Sequence, residues 1–241
     1  APLLDRLNTQ RLHQDKRALR LVLREQGSSL SMAEVEEVQK HLIQLNAQTE
    51  KTAQLSFLKG IDHLLLQDLG AAISALTEAI ERDPSFTLAY FARSIASLRR
   101  SEAERGRPVE QSAPSTPQVR AAATGAKGTT PVELPLPAPA PTRVVEYSPL
   151  TDLNQVITQA PTFAFAYYNR ANLYAKTGDV ERAKQDYTKA IELNPLFAES
   201  YFNRGLLYYS EGKVKEGTRD LSRAGELGLY KAYSLIKRMN K

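Results

Sequence analysis

The sequence predicts an all-α fold: a right-handed solenoid of stacked helical hairpins, with a small strand-plus-helix cap at the N-terminus and a long disordered insertion inside one hairpin. Three observations carry this. Residues 160–179, APTFAFAYYNRANLYAKTGD, return 34 residues later as NPLFAESYFNRGLLYYSEGK. Pro161 and Pro195 stand one such period apart. Nine of the thirteen prolines crowd between Pro108 and Pro149, where the period breaks.

Each unit reads as two helices. In residues 162–195 the first carries Phe163, Ala166, Tyr167, Ala171 and Tyr174 near helical spacing, and Thr177-Gly178-Asp179 makes the turn. The second carries Ala183, Tyr187, Ala190 and Ile191, and Asn194-Pro195 stops it, because proline lacks the N–H that the next turn needs. Ala171 and Ala183 mark where the two helices approach closely. A large side chain at either place would cost about 1–3 kcal/mol by overpacking.

Residues 164–197 resemble the tetratricopeptide repeat. Tyr167, Ala171, Tyr174, Gly178, Ala183, Tyr187, Ala190 and Pro195 stand where that family expects large, small, aromatic, turn, small, aromatic, small and proline. Residues 198–231 repeat the pattern with Tyr201, Gly205, Tyr208, Gly212, Leu221 and Ala224, but have Gly217 for the small alanine and Leu229 for the proline. They read as a last unit, followed by a capping helix over 229–241. Gly60, Ala72, Ala79 and Pro84 mark an earlier unit at 53–86.

Between Pro84 and Pro161 lie 77 positions, a surplus of 43 over one period. A second ruler agrees. Arg170 and Asp186 are 16 apart, as are Arg204 and Asp220, whereas Arg93 and Asp152 are 59 apart. The unit 87–163 is therefore split between its helices, which read as 85–100 and 148–161. The surplus, about 103–146, has loop composition, and its PVELPLPAPAP stretch at 131–141 favours extended polyproline II. A tolerated surface loop is preferred to a ligand for a proline-reading module.

Residues 1–52 form a separate segment. Leu19, Leu21 and Leu23 alternate within 17–25 as in a half-buried strand, with residues 3–12 or a segment beyond this chain as its partner. Ser31 and Glu34 make a capping box that opens a helix with Val35, Val38, Leu42 and Leu45 along one face, expected to pack on the first repeat. The whole arrangement also resembles the C-terminal part of large, exported multi-repeat proteins of Gram-negative bacteria of the gut and mouth. In those a strand and helix precede the repeats, one hairpin is interrupted, and the ending is similar to LSRAGELGLYKAYSLIKR, residues 221–238. That resemblance implies an exported, periplasmic or cell-envelope location and brings no chemistry.

Composition narrows the function. The chain has no stretch of eighteen apolar residues and no signal-peptide pattern; beginning at Ala1, it reads as a mature or excised fragment. With no cysteine there is no disulfide framework, thiolate site or Cys nucleophile. The net charge of +5 comes from residues 1–30 and 229–241, which together carry +7, so it sits at the tips and not as the stripe nucleic acid requires. His13, His41 and His63 are isolated from one another and from acids at metal-ligand spacing, and His63 is expected in the core. TGAKGTT at 124–130 and Gly212-Lys213-Val214 both fail the phosphate-loop pattern, and Ser28 and Ser29 lack a glycine elbow. Neither an enzyme nor a cofactor is expected. The recurrent Arg–Asp pairs are expected to tie each hairpin together, and Asn169 and Asn203 to hydrogen-bond a neighbouring helix's backbone.

Function is expected on the concave wall, built from first helices. Residues three or four apart, facing away from the hairpin partner, are Leu88, Phe91 and Ile95, then Phe165, Tyr168 and Asn172, then Glu199, Phe202, Leu206 and Tyr209. Phe91, Tyr168 and Phe202 recur once per unit, the arrangement that anchors an extended peptide or partner helix, although inter-repeat packing produces the same recurrence. The reading is a non-catalytic protein-interaction scaffold, with a structural or regulatory segment of a larger enzyme assembly as alternative. Third stands a cochaperone: relatives grip chaperone C-termini with lysines and asparagines, but the first unit offers Phe57 and Ile61 on the corresponding face. The basic C-terminal helix, with Lys231, Lys237, Arg238 and Lys241, either meets an acidic partner or lipid surface or complements its own macrodipole.

Overall fold

Proline, glycine and short polar side chains punctuate this chain, and its helices begin and stop where they stand. The computed structural model describes residues 30–105 and 148–239, which form ten α-helices and no strand. They are α1 (Met32–Asn46), α2 (Ala53–Leu65), α3 (Leu69–Arg82), α4 (Thr87–Arg105), α5 (Pro149–Gln159), α6 (Ala164–Thr177), α7 (Val180–Leu193), α8 (Ala198–Ser210), α9 (Val214–Glu226) and α10 (Lys231–Met239). The expected strand at 17–25 and its partner at 3–12 lie outside the described residues. So do His13, Ser28, Ser29, the 124–130 stretch, the polyproline stretch at 131–141 and Lys241.

Every helix start exposes free N–H groups, and at α1, α2, α3 and α7 a side-chain oxygen accepts from one of them. Ser31 and Glu34 close their capping box on α1, with the Ser31 N–H donating to Glu34 Oε2 at 2.9 Å and the Glu34 N–H to Ser31 Oγ at 3.3 Å. Thr52, Asp68 and Asp179 accept from Leu55, Ala71 and Arg182 to open α2, α3 and α7. The stops are equally local. Asp83, Ala160 and Asn194 each precede a proline and leave the helical region, because the proline ring clashes with an α conformation before it. Between paired helices the chain turns through left-handed backbone at Gly178 (φ 82°) and Gly212 (φ 75°). At the matching place in the first pair stands Gln67, held at φ 63°.

The helices pair as α2–α3, α4–α5, α6–α7 and α8–α9, each pair leaning on the next, with α1 against α2 and α10 against α9. Small residues permit this. Ala171 and Ala183 are fully buried together around Tyr187. In the last pair Gly217 takes the place of Ala183, because the Tyr209 ring lies across it: a Cβ there would fall 2.4 Å from the ring. α4 and α5 pack together although 43 residues separate Arg105 from Pro149 in the chain. α4 also runs 19 residues against 14 for α6, extending past its repeat boundary. α1 buries only Val38 and Leu45, with Val35 and Leu42 half covered.

Candidate functional site

The recurrent Arg–Asp pairs are bidentate. Arg93 meets Asp152 at 2.9 and 2.7 Å, Arg170 meets Asp186 at 2.7 and 2.8 Å, and Arg204 meets Asp220 at 2.7 and 2.9 Å. Each guanidinium has a further arm: Nη1 donates to Thr77, Asn154 or Thr188, on the second helix of the preceding pair. Each arginine thus joins three helices. The sequence carries a signal for that third link, since a side-chain oxygen stands 16 residues before every one of these arginines. Tyrosines flank the guanidinium planes, Tyr167 and Tyr174 about Arg170 and Tyr201 and Tyr208 about Arg204. The Asp186 hydrogen bonds push the Arg170 pKa above its already high ordinary value, so the charge is permanent. This is a structural clamp with no proton to offer chemistry.

The aromatic column on the first helices has a different fate. Phe57, Phe91 and Tyr168 each meet a phenylalanine that follows the closing proline of their unit: Phe86 at 4.7 Å, Phe163 at 4.9 Å and Phe197 at 4.7 Å between centroids. The rings therefore stitch one repeat to the next. Phe91, 2 % exposed beneath Phe163 with Leu153, Val156 and Ala166, is core and not groove. Leu88 packs on the first core cluster, and Tyr209 turns to its hairpin partner, its hydroxyl 2.5 Å from Thr218 Oγ1. Those three expected groove residues are corrected. Phe57 and Ile61 are likewise buried, and present no clamp face.

At the fourth rung the pattern changes. One period beyond Phe197 comes Lys231, and its ammonium sits 5.0 Å above the Phe202 ring. From there a concave cleft of about 830 Å³ opens along α4, α6 and α8. Seven of the ten expected residues line it: Ile95, Phe165, Tyr168, Asn172, Glu199, Phe202 and Leu206. Exposed Leu196 and the Glu102–Lys176 ion pair stand at its edge. The sequence reading missed this ion pair, since its partners are 74 residues apart.

The cleft's polar floor is built by Asn172. Its Oδ1 accepts from the Tyr187 hydroxyl at 2.6 Å and from Asn203 Nδ2 at 3.0 Å. Burial pushes the Tyr187 phenol far above its ordinary pKa, keeping it a donor. Two expectations change here. Asn203 binds a neighbouring side chain and not backbone, while Asn169 donates to the backbone of its own helix, at Phe165 O, 2.8 Å away. The amide hydrogens of Asn172 and the Oδ1 of Asn203 make no hydrogen bond among the described residues.

Histidines isolated in sequence find acids in space. His41 on α1 meets buried Asp62 on α2 at 2.5 Å, and His63, half-buried and not core, lies 3.5 Å from Asp68. Among the described residues no three His, Cys, Asp or Glu side chains converge to hold a metal, and no helix is long and apolar enough to cross a membrane.

Three family models, each described as tetratricopeptide repeat, match residues 57–123, 164–197 and 186–217. The first runs past Arg105 into the insertion, whereas the helix that completes that hairpin starts at Pro149. No curated protein sequence matches the chain. Among solved structures the chain is similar to a crystal structure of MamA, at 18 % identity over 83 % of this chain and 89 % of that one, with a TM-score of 0.54. It is similar to MamA from Desulfovibrio magneticus, at 16 % identity over 90 % and 93 %, with a TM-score of 0.55. A repeat protein from Parabacteroides merdae matches at 17 % identity over 78 % and 60 %, with a TM-score of 0.52. At such identities the likeness is one of fold.

Proposed function

Because the chain is a tetratricopeptide-repeat protein, we propose that it is a non-catalytic interaction scaffold that holds an extended peptide in the cleft along α4, α6 and α8. The observation that carries this is the pair of amides on the cleft floor, Asn172 and Asn203, both of which line the open cleft. Asn172 offers N–H donors and Asn203 a carbonyl acceptor, which matches the C=O and N–H that one residue of an extended peptide presents. Phe202, Leu206 and Leu196 beside them offer apolar contact for the peptide's side chains. The wall is preformed, held by buried ring contacts and arginine clamps, so little ordering opposes binding. On the resemblance of residues 221–238 we place the scaffold in a bacterial cell envelope.

The test is selection from a random peptide library on the immobilised chain, followed by calorimetry of a recovered peptide with the Asn172→Ala variant and with Leu196→Glu/Leu206→Glu. These side chains are exposed or half-exposed, so both variants are expected to keep the native circular dichroism. A tenfold or greater loss in both supports the cleft. Unchanged affinity in both places binding elsewhere and refutes it.

A further inference from the structure

The end of the solenoid carries a surface that the cleft does not use. Lys215 and Arg219 stand one turn apart on the outer face of α9, and Lys237 and Arg238 lie in the last turn of α10. All four are exposed, and none takes part in an ion pair among the described residues. The acids nearby are engaged: Asp220 is buried against Arg204, Glu226 bonds Arg223, and α10 has none, leaving Glu216 alone. Tyr230 is 74 % exposed and Tyr233 45 %. None of these six side chains lines the cleft.

Helix stability accounts for only half of these charges. Cations in the last turn of α10 suit the negative end of its macrodipole, but Lys215 lies in the first turn of α9, where the dipole opposes it. The Tyr230 ring, 74 % exposed, is likewise not explained by packing, and the Tyr233 ring keeps an open edge beside it. α10 is fixed in place, with Ala232 fully buried against α9 and the Tyr233 ring lying over Gly225, where a Cβ would fall 2.5 Å away. The two helices are therefore held together, and the four cations are shared between them.

We propose that this α9–α10 surface docks peripherally on an anionic lipid membrane. Tyrosine rings settle at the headgroup level, and flanking Lys and Arg reach the phosphates while their stems cover apolar surface. A dispersed cationic array suits a planar, diffuse anion better than a single acidic segment, which a concave pocket would serve. Each cation near the surface raises partitioning about fivefold, so the four together multiply it by several hundred.

The experiment is co-sedimentation of the whole chain with phosphatidylcholine vesicles and with vesicles containing about one third phosphatidylglycerol. The native chain is expected to pellet with the second only, and to be released at about 0.5 M salt, where screening shortens the field to a few ångströms. The Lys215→Gln/Arg219→Gln/Lys237→Gln/Arg238→Gln variant is expected to stay in the supernatant, and Tyr230→Ala/Tyr233→Ala to bind at least fivefold more weakly, both with native circular dichroism. A native chain that ignores the anionic vesicles overturns the proposal, and if it then binds polyglutamate through the same four cations, the surface reads acidic polypeptide. A four-charge variant that pellets like the native chain also overturns it, since the binding then resides in the basic residues of 1–30.

Discussion

Arg93 and Asp152 hold together a hairpin whose halves are 59 residues apart, and their burial sets what their loss should cost. Their side chains are 7 % and 3 % exposed, against 20 % and 8 % for Arg170–Asp186. Asp152→Ala would leave the Arg93 guanidinium inside the protein without its bidentate carboxylate, with the Thr77 hydroxyl and the Tyr90 ring beside it. Stranding a buried charge in this way costs about 3–5 kcal/mol, whereas the better-solvated Asp186→Ala should cost roughly 2 kcal/mol. Urea unfolding followed by circular dichroism measures the total. Amide exchange measures where it is lost, and the amides of α5 should exchange at least about 100-fold faster, because 1.4 kcal/mol is a factor of ten. The double substitution Arg93→Met/Asp152→Leu should recover most of the loss, since neither charge then needs a partner. A cost under about 1 kcal/mol for Asp152→Ala, or equal costs at Asp152 and Asp186, would refute the argument from burial.

Two further outcomes follow from the same geometry. Replacing residues 101–145 by Gly-Asp, the turn used at Gly178-Asp179, restores the 34-residue period and should stabilise the chain by about 2 kcal/mol through the shorter loop closure; a lower urea midpoint would mean that the last turn of α4, with its Glu102–Lys176 pair, outweighs that gain. Gln67→Gly should raise stability by about 1 kcal/mol, because Gln67 occupies left-handed backbone that a Cβ opposes; an unchanged midpoint would mean that the turn carries no strain.

Repeats, turns and helix ends were legible in the sequence because each is fixed within a few residues. Proline at 84, 161 and 195 removes a donor wherever it stands, glycine at 178 and 212 is read as a turn without knowledge of its neighbours, and Ser31 needs only Glu34 to close its box. The Arg–Asp rulers located the split hairpin for a related reason: a period counts positions and is indifferent to what fills the gap. What lay beyond the sequence was which face of a first helix the next unit would cover. Phe91, Tyr168 and Phe202 stand at one repeat position and read alike, but Phe163 and Phe197 cover the first two, whereas Lys231 lies over the third. Tyr209 was expected in the groove because helical spacing puts it there, and it was drawn inward by the space left at Gly217.

The sequence by itself determined the architecture, the place of the interruption and the identity of the clamps, since local dihedral preference and a fixed period specify all three. Only the tertiary structure decided which residues of the concave face remain open to a partner, because exposure belongs to the contact between units: a ring is core or surface according to the side chain one period further on.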